Sequence, residues 1–198
     1  YVSPYTPKGA EGDLKKMIEK KGEVGMMSFP VWYVALEAPN YPKAAFPEGI
    51  PVWFHVDGFS GDIHEMNTIN HYVGMYPLED GAKIERALGP FLMLGISLLM
   101  ILFICIRKKW SWIFMLPSAL FPLGFFAFYS GWMYWFGHNM QEWGAFKIKA
   151  FMPTALGVGH VAHFTTKSFP SIGFWILVII AVLSVLALLA RRNELKKQ

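Results

Sequence analysis

Histidine and methionine side chains are concentrated in one short stretch of this chain. The stretch contains His55, His64, Met66, His71 and Met75. Imidazole nitrogens and thioether sulfurs, with no cysteine nearby, form a ligand set that suits copper better than zinc, iron or magnesium. We therefore expect a copper site here, with His71 and Met75 as the main ligands, His64 and Met66 as helpers and His55 as a further candidate.

The spacing within this stretch leaves its local structure open. On a helix, His64, His71 and Met75 would share one face, because they are seven and four residues apart. Met66 follows His64 by two residues, which favours an extended strand instead. Without a metal, the same side chains would make surface hydrogen bonds and apolar contacts, and the chain contains no rigid ligand motif such as His-Glu-x-x-His.

A second pair of histidines lies in the carboxy-terminal half of the chain. His160 and His163 are three residues apart and would meet on one face of a helix, where they could add ligands to a metal site. His138 and Met140 lie at the end of a long apolar stretch. The alternative is that these imidazoles form hydrogen bonds with lipid head groups or with a neighbouring chain.

Three long uncharged stretches dominate the second half of the sequence. They cover residues 88–106, 110–137 and 168–190, which are 19, 28 and 23 residues long. About 20 apolar residues match the thickness of the hydrocarbon core of a bilayer, so each stretch predicts a transmembrane helix. The expected fold class is a mainly α membrane protein, with three transmembrane helices and a small extracytoplasmic amino-terminal domain of mixed short strands and loops.

Basic residues flank the ends of two predicted spans. Arg107, Lys108 and Lys109 follow the first span, and Arg191 and Arg192 follow the last. Such residues mark the cytoplasmic side of a membrane, so we expect the tail inside and all six histidines outside. The first 87 residues carry 8 Lys/Arg against 12 Asp/Glu. The net charge of +4 is thus a topology signal, and no nucleic-acid partner is expected.

The sequence predicts three parts. Residues 1–87 form the extracytoplasmic domain, residues 88–190 the membrane domain and residues 191–198 a basic cytoplasmic tail. Within the membrane domain, residues 150–166 are uncharged but too short and polar for a span. We expect an outer interfacial or re-entrant helix there, with a fourth span as the alternative.

Local patterns subdivide the amino-terminal domain. They predict a short helix over residues 13–21, strands beginning near residues 24 and 50, and a loop or short helix over residues 62–74. Export of this domain requires a signal peptide or an upstream segment, neither of which is part of the sequence. Cys105 is the only cysteine, so a disulfide or a thiolate metal cluster cannot form within the chain.

Two segments of the amino-terminal region resemble a family of exported bacterial membrane proteins. They are the run Phe29-Pro-Val-Trp-Tyr-Val-Ala-Leu-Glu-Ala-Pro-Asn-Tyr-Pro and a second run that contains Asn70-His-Tyr-Val-Gly-Met75. The family signature, Asn-His-Tyr-[Ile/Val]-Gly-Met, is associated with accessory genes of copper enzymes such as nitrous oxide reductase. The resemblance covers about residues 24–80. It implies a bacterial inner-membrane protein with a periplasmic amino-terminal domain and a role in copper supply, and it singles out Asn70, His71 and Met75.

Two functions remain open at this point. The leading hypothesis is a membrane-anchored accessory protein that binds or supplies copper for an enzyme on the outer side of the membrane. The alternative is a structural accessory subunit of a larger membrane oxidoreductase complex, without a metal of its own. In both cases the expected partners are the lipid bilayer and a hetero-oligomeric membrane or periplasmic copper enzyme.

Catalysis by the chain itself is less well supported by its motifs. The sequence contains no glycine-rich phosphate loop, no nucleophile elbow and no haem-attachment motif. A catalytic subunit that carries its own copper centre is a third possibility. The motifs therefore favour an accessory protein over an enzyme.

Overall fold

The computed structural model describes residues 29–39, 41, 43–145 and 149–197. The helix predicted over residues 13–21 lies outside the described residues. The strands and α-helices are β1 (Trp32–Glu37), β2 (Ile50–Phe54), β3 (Phe59–Gly61), α1 (Ile63–Val73), α2 (Lys83–Cys105), α3 (Leu116–His138), β4 (Gly157–Val161), β5 (Phe164–Pro170) and α4 (Ile172–Lys197). Short 3-10 turns at Leu78–Asp80 and Ser111–Met115 precede α2 and α3.

The strands form one five-stranded antiparallel sheet with β1 at its centre, in the order β3-β2-β1-β5-β4. Trp32 and Leu36 of β1 are buried on one face, because alternate side chains of a strand point to the same side. Their partners on β2 are Phe54 and Ile50, which extend this apolar face. β2 begins where the second strand was predicted, whereas β1 begins at Trp32, later than the predicted start near residue 24. Residues 24–28 of that prediction lie outside the described residues.

Two strands of the sheet, β4 and β5, lie in the sequence between the second and third apolar helices. This finding corrects the prediction of an interfacial or re-entrant helix over residues 150–166. They do not form a helix: β4 and β5 make a hairpin whose two-residue turn is Ala162-His163. Ala162 has a φ of 52°, which is typical of such tight turns. The local pattern could not reveal this outcome, because the partner that stabilises β5 is β1, far away in the sequence.

Trp32 joins the sheet to the helices. Its ring lies 5.0–6.1 Å from the rings of Phe125, Phe126, Tyr129 and Phe174, which belong to α3 and α4. Aromatic pairs at these distances stabilise a core beyond the area that they bury. The inner face of the sheet therefore packs directly onto the helices, and the two parts share one hydrophobic core.

A buried polar network reinforces this junction. The indole nitrogen of Trp32 donates to Ser168 Oγ at 2.8 Å, and Ser168 Oγ donates to the carbonyl of Ala155 at 2.9 Å. Tyr129 Oη lies 3.2 Å from the same Ser168 oxygen. Because the single hydroxyl proton of Ser168 is used on Ala155, Tyr129 is the donor in the third bond.

Three helical segments are long and apolar enough to cross a membrane. They are Lys83–Cys105, Ser111–His138 and Ile172–Glu194, and they confirm the prediction of three apolar helices. The third begins later than expected, because residues 168–170 belong to β5. The fold thus consists of three long helices, with the antiparallel sheet and α1 packed at one end of them.

The other end of the helices is held together by Arg191 of α4. Its guanidinium donates to the carbonyls of Phe103 and Ile106 at 3.2 and 3.1 Å, and it lies 4.5 Å above the ring of Phe103. The last carbonyls of a helix lack partners within that helix. Arg191 therefore caps α2 and joins it to α4.

Candidate metal site at the outer cavity

The signature segment from Asn70 to Met75 forms the end of α1. Gly74 adopts a left-handed conformation, with a φ of 86°. Its N–H donates to the carbonyl of His71 at 3.1 Å, and the N–H of Met75 donates to the carbonyl of Asn70 at 2.7 Å. These two bonds make the Schellman motif that commonly terminates helices. The segment therefore has a clear structural role.

A neighbouring loop fixes this turn from the other side. The N–H of Gln141 donates to the carbonyl of Gly74 at 2.7 Å. A Cβ at Gly74 would lie 2.6 Å from the carbonyl oxygen of Gln141, and one at Gly144 would lie 2.8 Å from the Gly74 nitrogen. Only glycine allows the two backbones to approach this closely.

His64 and His71 share a side of α1 but are too far apart to bind one ion together. Seven residues of α-helix span about 10 Å along the axis, whereas both nitrogens must lie about 2 Å from a bound metal. His71 is exposed, and its ring stacks on Trp143 with a centroid distance of 6.1 Å and an angle of 19°. The structure thus gives His71 an aromatic contact at the surface.

The remaining predicted histidine ligands are dispersed. His55 Nε2 lies 2.8 Å from Ser60 Oγ beyond the end of β2, and His160 Nδ1 lies 3.0 Å from Thr165 Oγ1 across the β4–β5 hairpin. His163 is exposed in the hairpin turn. Because His160 and His163 lie on a hairpin, the helical face that they were expected to share does not exist.

Taken together, the histidines do not form a metal site with acidic or thiol side chains. In the described parts of the chain, no group of three or more His, Cys, Asp or Glu residues could hold a metal ion. A metal site within this region must therefore draw on other donors.

Methionine sulfur supplies such donors in one place. Met66 and Met75, both predicted as ligands, line a single cavity of about 90 Å³, and Met133 of α3 lines it as well. Met66 is separated from His64 by two residues, a rotation of about 200° around the helix axis, so Met66 faces the core while His64 lies on the opposite side. Three methionines therefore line one cavity, and no histidine is among its lining residues.

Apolar side chains from the sheet, α1 and α3 form most of the cavity wall. The wall consists of Val34, Leu36, Val52, Phe54, Met66, Ile69, Asn70, Val73, Met75, Leu78, Met133, Phe136, Phe151, Pro153, Thr154, Val161, Phe164 and Thr166. This set contains no charged residue. A divalent ion would enter with little compensation for its lost hydration, while a monovalent ion meets a smaller penalty.

Asn70 adds a polar group to the cavity wall. The residue is 7% exposed, its backbone carbonyl is used in the helix cap, and its side-chain amide makes no hydrogen bond within the residues that the structure describes. An amide oxygen can serve as an acceptor or as a weak ligand. The residues that line the cavity thus include three with thioethers, one with an amide and two with hydroxyls, Thr154 and Thr166.

Met133 was not among the predicted ligands. It lies within a long apolar stretch, where a methionine is ordinarily a packing residue. Its place in the cavity depends on how α3 extends past the sheet, which local sequence patterns do not encode.

Comparisons with known proteins add no relative to this description. No protein-family model, curated protein or solved structure matches the chain. The family resemblance of the signature segment therefore stays a prediction.

Proposed function

We propose that this chain is a membrane-anchored accessory protein that holds or supplies Cu(I) for a copper-dependent enzyme on the outer side of a bacterial inner membrane. The observation that supports this function most directly is the convergence of Met66, Met75 and Met133 on one cavity. Thioether ligands select the reduced copper ion. The proposal keeps the predicted metal and the predicted ligands Met66 and Met75, and it replaces the predicted histidine ligands with Met133.

The proposed placement in the membrane combines sequence and geometry. The sheet and α1 pack at one end of the helices, and Arg191 meets the end of α2 at the other. The basic residues 107–109 follow directly after α2. Since basic residues favour the cytoplasmic side, we propose that the sheet is periplasmic and the carboxy terminus cytoplasmic. A reporter fused after Gln198 tests this orientation and should be active in the cytoplasm.

Neutral soft ligands explain why the site would discriminate between metals. Zinc is bound by nitrogen, thiolate and carboxylate ligands, and magnesium by oxygen. The cavity wall contains no histidine, cysteine or carboxylate, and its side-chain oxygens are limited to those of Asn70, Thr154 and Thr166. A Cu(I) ion would be held by sulfur alone or with the Asn70 amide, and its single charge limits the cost of burial.

Copper binding by matched double variants tests the proposal. The full chain is reconstituted in phospholipid nanodiscs, and Cu(I) is titrated against a chromogenic Cu(I) chelator without oxygen. A Met66→Leu/Met133→Leu variant conserves volume but should weaken binding by more than about tenfold, since even outer-shell losses cost about 10–100-fold.

The control for this experiment removes the imidazoles. A His64→Ala/His71→Ala variant should retain its copper, because neither side chain is needed in a thioether site. If the histidine variant loses copper and the methionine variant keeps it, the thioether site is wrong and the ion is bound through the histidines.

A structural accessory subunit without metal is the second candidate. It is favoured by the contacts of the imidazoles, since His55, His71 and His160 each contact a neighbouring side chain. This function requires a hetero-oligomeric partner. Gentle detergent extraction followed by mass measurement should then recover a larger complex, and a stable monomer of the chain mass would argue against it.

A further inference from the structure

One end of the sheet is joined directly to α4. The N–H of Ser171 donates to the carbonyl of Val31 at 3.0 Å, and the N–H of Gly173 donates to the carbonyl of Pro30 at 2.8 Å. β5 ends at Pro170 and α4 begins at Ile172. The start of β1 and the end of β5 therefore lie beside the first turn of α4.

Three aromatic residues form a row across the sheet near this end. The strand register places Trp53 beside Tyr33, and Tyr33 beside Phe169. The rings of Tyr33 and Trp53 are 5.4 Å apart. Because these residues alternate with Trp32 and its partners, their side chains lie on the face of the sheet that is turned away from the shared core.

The exposed aromatic surface continues from the sheet onto α4. Phe169 is 42% exposed, and Phe29, just before β1, is 65% exposed. On α4, Ile172 and Trp175 are each 56% exposed. Exposed apolar side chains therefore extend from the end of β5 onto α4, the helix that follows directly in the sequence. This helix is long enough to cross a membrane.

The far end of the same sheet face is polar. Lys167 Nζ and Glu37 form an ion pair at 2.7 Å, and His160 contacts Thr165. Lys167 is two residues from Phe169, a distance of about 7 Å along a strand. The face thus changes from aromatic to charged along the direction that leads away from α4.

We propose that Phe29, Phe169 and the adjoining row of Tyr33 and Trp53 lie in the head-group layer of the outer leaflet. Tyr33 and Trp53 favour this layer, because their rings are apolar and their polar groups remain near water. Phe29 and Phe169 lie beside them on the side nearer α4 and would bring apolar rings to the hydrocarbon side of the layer. The sheet is then bound to the bilayer directly, and not only through the helices. The inference rests on the membrane placement proposed above but is independent of copper.

Site-directed spin labelling in phospholipid nanodiscs tests this contact. Single-cysteine variants are made in a Cys105→Ser background at Phe169, at Thr165 on the same strand and face, and at Val182, an exposed residue of α4. Accessibility to oxygen and to a nickel chelate reports the depth of each label. We expect residue 182 to be deepest, residue 169 to be intermediate and residue 165 to be aqueous.

The control positions separate the possible failures. An aqueous label at residue 169 beside a lipid-exposed label at residue 182 would overturn the head-group contact while the membrane placement stands. An aqueous label at residue 182 would overturn both. A label at residue 169 that is immobile and inaccessible to both reagents would indicate a protein cover and would also contradict the proposal. A Phe29→Cys variant provides a second test position outside the strands.

Discussion

The side chains at the junction between the sheet and α3 are much more deeply buried than the side chains along α2. At the junction, Trp32 is 1% exposed and contacts rings from two helices. Along α2, only Gly89 and Phe103 are buried, and the rest of the helix presents apolar side chains outward. The sheet, α3 and the start of α4 thus share a buried core, whereas α2 has few buried side chains.

α2 is attached near its two ends. At the end near the sheet, Gly89 allows close approach, since a Cβ there would lie 2.6 Å from a methyl group of Val56. The guanidinium of Arg86 lies 4.6 Å from the ring of Phe59. At the other end, Arg191 caps the helix. Between these attachments α2 exposes large apolar side chains such as Phe91, Leu94 and Leu98, and the helix is long and apolar enough to cross a membrane.

The largest expected effect comes from breaking the packed junction. Trp32→Ala should lower the free energy of unfolding by about 3–5 kcal/mol, because it removes a large buried ring and one donor to Ser168. The measurement is reversible denaturation in mixed micelles. Trp175→Ala is the matched control, and its effect should be small because this ring faces outward. Equal losses of unfolding free energy in both variants would contradict the difference in burial between the junction and the exposed helix surface.

A smaller loss is expected from the helix cap in the signature segment. Gly74→Ala should destabilise the protein by more than about 1 kcal/mol, because it combines a left-handed backbone with a clash against the Gln141 carbonyl. Gly95→Ala on α2 is the control, because a Cβ at Gly95 meets nothing within 4 Å. Thermal unfolding compares the two. A neutral Gly74→Ala variant would show that the turn does not constrain this region.

Arg191 tests how weakly α2 is held. Arg191→Met should cost about 1.5–3 kcal/mol, the range for hydrogen bonds made by a charged group, and should broaden the distance between labels on α2 and α4. Arg192→Met, an exposed neighbour, should leave both quantities unchanged. An unchanged distance distribution in Arg191→Met would mean that other contacts hold α2.

The smallest effect concerns the ion pair on the outer face of the sheet. The hydrogen bond to Glu37 raises the pKa of Lys167 above its ordinary value of 10.5. The resulting stabilisation is present below that value and is lost as the pH rises through the raised pKa. Lys167→Met should cost about 0.5 kcal/mol at neutral pH. Its unfolding curve should approach that of the natural chain only at strongly alkaline pH.

Parts of this structure could be predicted from the sequence because they depend on local patterns. The three long apolar helices follow from length and hydropathy, and the aromatic and β-branched residues around Trp32 indicated a strand or an extended segment. The strand β5 was not predicted, because its stability comes from pairing with β1, which is distant in the sequence. The hairpin therefore replaced a helix that the spacing of His160 and His163 had suggested.

The candidate site was predicted in part for the same reason. Sequence proximity identified Met66 and Met75, and both line one cavity in the structure. Proximity could not reveal that α1 turns His64 and Met66 to opposite sides, or that α3 brings Met133 to the cavity. The fold thus separates His64 from Met66, which are close in sequence, and brings Met133 to the same cavity as Met66, from which it is distant in sequence.

X-ray absorption at the copper edge tests the central claim most directly. The full chain in nanodiscs is loaded with one equivalent of Cu(I), and the ligand shell of the ion is measured. The thioether site predicts a reduced ion whose shell is dominated by sulfur. A shell of imidazole nitrogens, with their characteristic outer-shell scattering, would contradict the account and return the histidines to the centre of the function.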